Sequence, residues 1–128
     1  MKGTRGTGQD WEDAAERFLR REGYRIVERN YRTKIGEIDF IAWDGDVLCF
    51  IEVKGRRALG FGLPEEAVTP EKQRRIYRAA EWFLSRRRLA EPRARFDVVS
   101  IVGTGRDSRT EIRRGAFEGP PVARRRHQ

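Results

Sequence analysis

Apolar residues recur along the chain with two different periods, and the changes of period divide it into elements. Trp11, Ala14, Ala15, Phe18 and Leu19 follow the i, i+3, i+4, i+7, i+8 spacing of a helix with one buried stripe. Asp10 reads as its N-cap, Glu22 as its last residue and Gly23 as its stop. Tyr24 to Arg32 reads as a strand. Two more follow, Glu37 to Trp43 and Val47 to Lys54, separated by Asp44-Gly45-Asp46, a strong hairpin signal. Gly55 to Leu63 holds three glycines and no period, which marks a loop. Thr69-Pro70 opens a second helix running to about Arg88, with the stripe Ile76, Tyr77, Ala80, Phe83 and Leu84. Phe96 to Val102 is apolar enough for a strand buried on both faces, and Thr110 to Phe117 suits a short edge strand.

The order is therefore α-β-β-β-α-β with one further strand. A strand, a helix and a strand in succession imply a right-handed crossover onto the same sheet. The expected class is α/β, a mixed sheet flanked by helices. Residues 1–9 read as a flexible N-terminus and 10–118 as one domain. Residues 119–128, with Pro120-Pro121 and Arg124-Arg125-Arg126, read as a flexible basic tail.

Composition changes the picture in one direction. Charged residues are as frequent as apolar ones, 38% each, and the net charge is +8. Such an excess speaks about partners, and the partner expected is nucleic acid, DNA before RNA, because no aromatic-rich RNA-binding signature is present. Cys49 is the only cysteine and His127 the only histidine, so disulfides, thiolate metal sites, His-ligated zinc and Ser-His-Asp catalysis have no residues to use. No apolar run approaches membrane-spanning length, and the first residues lack a secretory pattern. A soluble, cytoplasmic protein with no membrane partner is expected.

The candidate chemistry lies where the charge reverses. Between Gly36 and Lys54 the acids Glu37, Asp39, Asp44, Asp46 and Glu52 face a single base, Lys54. An acidic pocket in a basic chain suits an enzyme that holds a cation beside a polyanion. Closing the hairpin with Asp44-Gly45 sets Asp39 opposite Phe50 and Glu37 opposite Glu52, with Glu37, Asp39, Glu52 and Lys54 on one face. Like charges packed there call for a hard divalent cation, and carboxylate oxygens without sulfur or imidazole suit Mg²⁺ or Mn²⁺. The competing reading is a solvent-facing hairpin whose polar face is acidic. Against it stands Lys54. Only four of the 28 basic residues are Lys, yet one follows Glu52 at the next same-face position. A compact ammonium there can orient a water or meet developing charge on phosphate.

Gly36-Glu37-Ile38-Asp39-Phe40-Ile41-Ala42, then Phe50-Ile51-Glu52-Val53-Lys54 with Arg56, resembles the YraN-like family of bacterial proteins. That family is similar to the PD-(D/E)XK nuclease superfamily and to archaeal Holliday-junction resolvases within it. The likeness extends over Gly23-Tyr24-Arg25-Ile26, Arg29-Asn30, Phe61-Gly62, Pro64 to Val68, Lys72 and Phe96-Asp97-Val98-Val99. It implies a restriction-endonuclease-like αβββαβ core and metal-dependent hydrolysis of phosphodiester bonds in DNA, branched or structured DNA included. The alternative it leaves is a module that keeps the fold and binds nucleic acid without cutting.

Residue by residue, the resemblance assigns Asp39 and Glu52 to the metal, with the carbonyl of Val53 as an extra ligand, and Lys54 to catalysis. Glu37 joins them as a further candidate. Glu12 matches the helix-one metal acid, with Glu16 one turn later as its competitor; Trp11 stands where the family has Gly. Gln73 and Tyr77 match a Gln-x-x-x-Tyr pattern, which makes Gln73 a catalytic candidate against a capping role, and Tyr77 a core residue. Asp97, in an apolar strand, is expected to bond structurally, with catalysis as the lesser alternative. Arg56, Arg57 and Lys72 are the candidate nucleic-acid contacts. Resolution of a junction would need a two-fold homodimer with two sites.

Overall fold

The structure, a computed structural model, describes residues 7–56, 68–89, 92–103 and 108–118. Its elements are α1 (Thr7–Arg21), β1 (Arg25–Arg32), β2 (Glu37–Asp44), β3 (Val47–Arg56), α2 (Pro70–Arg87), β4 (Arg93–Val102) and β5 (Arg109–Phe117). The strands form one sheet in the order β1-β2-β3-β4-β5, antiparallel except for the β3–β4 pair, which α2 connects. This is the mixed sheet with flanking helices that the periods predict. Asp10 is not an N-cap, because α1 begins three residues earlier, at Thr7; the N-terminal boundary drawn after residue 9 moves with it. The Gly55–Leu63 loop beyond Arg56 and the basic tail 119–128 lie outside the described residues.

Alternation along the strands feeds two cores. Phe50 and Leu48 pack with Ile76, Ala79, Ala80 and Phe83 of α2, while Cys49 and Ile51 pack with Ala15 and Leu19 of α1. One helix therefore covers each face of the sheet. On the α2 side the rings of Tyr31, Phe50, Phe83, Phe96 and Phe117 meet edge-on or stacked, at centroid distances of 5.0 to 6.2 Å. Thr69 caps α2 by accepting from the Lys72 N–H at 3.2 Å, and Pro70 takes the first turn, where its missing N–H costs nothing. Among the described residues no helix is long and apolar enough to cross a membrane.

The hairpin register departs from expectation by two residues. Asp44 pairs with Val47, so the two-residue turn is Gly45-Asp46 and not Asp44-Gly45. Gly45 takes the left-handed conformation (φ 64°) as the first turn residue, the pattern of a type II′ turn. The parity of the pairing is unchanged, but the partners change: continued, this register would set Asp39 against Glu52 rather than Phe50.

One glycine positions the far end of β3. A Cβ on Gly55 would stand 1.9 Å from the indole of Trp11, so the ring lies directly on the bare backbone beside Lys54. Gly55→Ala must displace either the α1 aromatic or the end of β3. Its expected cost is about 1–3 kcal/mol, as for overpacking a filled site, read as a lower urea midpoint.

Candidate active site

The site arises where β2 and β3 part. Ile38 packs on the α2 side and Phe40 on the α1 side although they are two residues apart, so alternation is broken at Asp39. The neighbouring strand is irregular at the same level, without a change of register. Asn30 has φ 57°, a conformation Asn tolerates better than most residues, and the pairs Arg29–Phe40 and Tyr31–Ile38 flank the irregularity. The β2–β3 ladder ends at Phe40–Ile51. The N–H of Val53, which continued pairing would hold, instead donates to the Asp39 carboxylate at 2.7 Å. A side chain thus replaces a main-chain partner, and the carboxylate is drawn into the fork between the strands.

Glu52 lies on the same side of β3 as Phe50, facing α2, and only 5% of it is exposed. Two ammonium groups meet it. Lys72, in the first turn of α2, places Nζ 2.6 Å from Glu52 Oε2, and Lys54 places its own at 3.5 Å. Burial and the adjacent Lys72 press the Lys54 pKa down against the pull of Glu52. Lys72 goes the other way: burial opposes its charge, but Glu52 more than offsets that. Asp39 is the strained member. Burial first, then the charge of Glu52, push its pKa from the ordinary carboxylate range up to about 7, against the Val53 hydrogen bond.

That shift has a measurable sign. Asp39 binds its proton more tightly in the folded chain than in the unfolded one. Its stability contribution is complete below about pH 4 and is lost as pH rises through about 7. Asp39→Asn should therefore be more stable than wild type at pH 8, by up to about 4 kcal/mol for a pKa raised from 3.8 to about 7, and equal to it near pH 4. Urea melts at the two pH values check this.

The remaining candidates fall in different places. Glu37 is 61% exposed and paired with Arg32 at the end of β2, away from the buried fork. Glu12 accepts from Asn30 at 3.2 Å and lies 3.6 Å from Arg29; its charge still helps to raise the Asp39 pKa. Glu16 is held more closely by Arg29, at 2.7 Å. Among the described residues no three Asp, Glu, His or Cys side chains converge as a ready metal cage. Gln73 donates its side-chain amide to the Val68 carbonyl at 2.9 Å, a bond that braces the start of α2. Tyr77 packs on Phe96. Lys72, a candidate nucleic-acid contact, reaches Glu52. Arg57 and the side chain of Arg56 lie outside the described residues.

Two features go further than the sequence reading. Ser100 pairs with Lys54 across the parallel β3–β4 ladder and is fully buried, with a hydroxyl that has no hydrogen-bond partner among the described residues. Val98 faces α2 and Val99 faces α1, so Ser100 faces α2, as Glu52 and Lys54 do. The second feature anchors Asp97, the acid expected to bond structurally. It is 0% exposed and accepts from Tyr24 Oη (3.1 Å), Arg95 Nε (2.9 Å) and the Gly115 N–H (2.9 Å). Arg95 also reaches Asp44 at 2.8 Å, so the network ties β4 to the hairpin turn.

Sequence comparison adds kinship. A profile described as "Uncharacterised protein family UPF0102" matches residues 11–101, which take in most of α1, the hairpin, α2 and most of β4. A UPF0102 protein of Desulfosudis oleivorans is 53% identical over 111 residues, covering 87% of this chain and 89% of that protein. One from Syntrophotalea carbinolica is 45% identical over 111 residues, with 87% and 90% covered. One from Symbiobacterium thermophilum is 50% identical over 110 residues, with 86% and 92% covered. The chain belongs to the UPF0102 family.

Proposed function

We propose that this chain is a divalent-cation-dependent nuclease that hydrolyses phosphodiester bonds in DNA, structured or branched DNA being the favoured substrate. The observation that carries the reading is the Asp39–Glu52 pair in the strand fork. Burial and the neighbouring charge of Glu52 hold Asp39 up near pKa 7, which is the electrostatic demand that a cation relieves. The donor set is hard oxygen, the type that suits Mg²⁺ or Mn²⁺. Mg²⁺ ordinarily takes only one or two carboxylates and completes its shell with water and substrate phosphate, so two acids suffice. The resemblance to PD-(D/E)XK nucleases and Holliday-junction resolvases points the same way.

In this reading Asp39, Glu52 and the carbonyl of Val53 hold the ion. When bound, the ion supplies positive charge at the scissile phosphate and makes a nearby water more acidic. Lys54 holds the attacking water or meets the charge that develops on phosphorus. Lys72 orients Glu52 from the helix side through their ion pair. Arginines around the fork bind the sugar-phosphate backbone without reading sequence. A homodimer would set two such sites on one junction.

A second reading is favoured by one observation. The Lys72–Glu52 contact at 2.6 Å neutralises the buried acid from within the chain, as a module that binds DNA without cutting would require. Cleavage assays with Mg²⁺, Mn²⁺ and chelator separate the two, over linear, flapped, single-stranded and four-way-junction DNA and over RNA. Cation-dependent strand scission supports the nuclease. Binding with no scission on any substrate supports the module.

A further inference from the structure

The helix that brings Lys72 to Glu52 also carries an unusual outer face. Its buried residues, Ile76, Ala79, Ala80 and Phe83, turn toward the sheet. Outside that stripe Arg74, Arg78, Trp82 and Arg86 follow one another at four-residue steps, all exposed, along a ridge that slants from the far side of the helix to its flank. Trp82 is 46% exposed, the larger of the two well-exposed large apolar side chains among the described residues. A lone exposed aromatic is ordinary on a protein surface. Here it stands in line with three arginines that form no ion pair with a described residue. A shallow depression lined by Glu71, Arg74, Arg75 and Arg78 lies at the end of the row nearer Lys72. The guanidinium of Arg86 sits 5.4 Å from the centre of the Trp82 ring, a cation–π contact that fixes the indole and enriches the cationic character around it.

Four residues of helix rise ~6 Å, the scale of a phosphate repeat, and the row places a cation at three of its four steps with Trp82 at the other. Exposed cations in a row suit a sugar-phosphate backbone, and an indole among them suits a base whose face is free. In a closed duplex the base faces are stacked and cannot reach it.

We infer that the outer face of α2 is a track for the DNA backbone on which Trp82 stacks an unpaired base, so that the substrate carries a single-stranded segment. The inference rests on the nuclease reading for the position of the reacting centre, and it names the substrate class of that site. Lys72 and Trp82 are ten residues apart on the helix, ~15 Å along its axis. At the same ~6 Å phosphate spacing, that is roughly two or three nucleotides of unstacked strand. The unpaired base would then lie about that far from the bond opposite Glu52.

The test measures binding, in chelator, so that cleavage plays no part. Fluorescence anisotropy compares full-length wild type, Trp82→Ala and Trp82→Phe on a labelled thymidine oligonucleotide, a flapped duplex and a blunt duplex of equal length. Loss of one stacked base predicts a weakening of about five- to a hundredfold for Trp82→Ala on the first two. The blunt duplex should change less than about twofold. Trp82→Phe should retain most of the affinity. Wild-type indole fluorescence should be quenched by the oligonucleotide, and that quenching should shrink in Trp82→Ala. Equal losses on all three DNAs, or none, overturn the inference while leaving the nuclease reading intact. Wild type that binds no DNA, or that uses Trp82 only to associate with itself, overturns it as well. Stacking that behaves as predicted in a chain that cleaves nothing supports the track and removes the nuclease.

Discussion

Lys54→Arg is expected to lower Mg²⁺-dependent cleavage by on the order of a hundredfold or more while leaving DNA affinity within about twofold. The reason is room. Lys54 and Lys72 share one buried carboxylate, with Nζ at 3.5 and 2.6 Å from the same oxygen, and burial already disfavours the Lys54 charge. A guanidinium is broad and planar and stays protonated. It can enter this space only by displacing Lys72 or by turning out of the fork, and either movement takes its charge away from the reacting phosphate. Long-range attraction to DNA depends on net charge, which the substitution preserves. Single-turnover cleavage and anisotropy on the same substrate read the two effects separately. Equal cleavage by the variant would remove Lys54 from the chemistry.

Asp97→Ala should produce the largest loss of stability, about 3 kcal/mol. The carboxylate is fully buried and holds Tyr24, Arg95 and the Gly115 N–H together. Removing it leaves Tyr24 and the Gly115 N–H without this acceptor and leaves the guanidinium with Asp44 as its remaining carboxylate. The figure is set at the low end for breaking a buried pair because Arg95 keeps 24% of its side chain in solvent. For a domain of this kind that is a large share of a total of about 5–15 kcal/mol. Tyr24→Phe removes one of those donors and should cost about 1 kcal/mol. Urea unfolding of both variants checks the order; equal losses would mean that the network is not organised around Asp97.

The elements were legible because each obeys its period and its punctuation. Thr69-Pro70, Asp-Gly-Asp and the stripes of both helices each point to one structure. The two-residue slip of the hairpin was not legible. Asp44-Gly45-Asp46 offers a turn on either side of its glycine, and both choices preserve the parity that places the side chains. Nor did sequence pattern reveal the break at Asp39. Ile38, Phe40 and Ile41 are all apolar, so the string is equally compatible with alternation and with its interruption. The charge reversal and the odd lysine did mark Asp39, Glu52 and Lys54. Glu37 shared that signal but sits at a strand end, where solvent and Arg32 take it. Lys72 reaches Glu52 from a distant element, and only tertiary packing could disclose that.

The central claim is that Asp39 and Glu52 hold a divalent cation, and Mn²⁺ binding followed by electron paramagnetic resonance tests it most directly. Wild type with DNA present should bind Mn²⁺, release it to excess Mg²⁺, and lose that binding in Asp39→Asn. Wild type that leaves Mn²⁺ free, or Asp39→Asn that binds it equally well, would contradict the account.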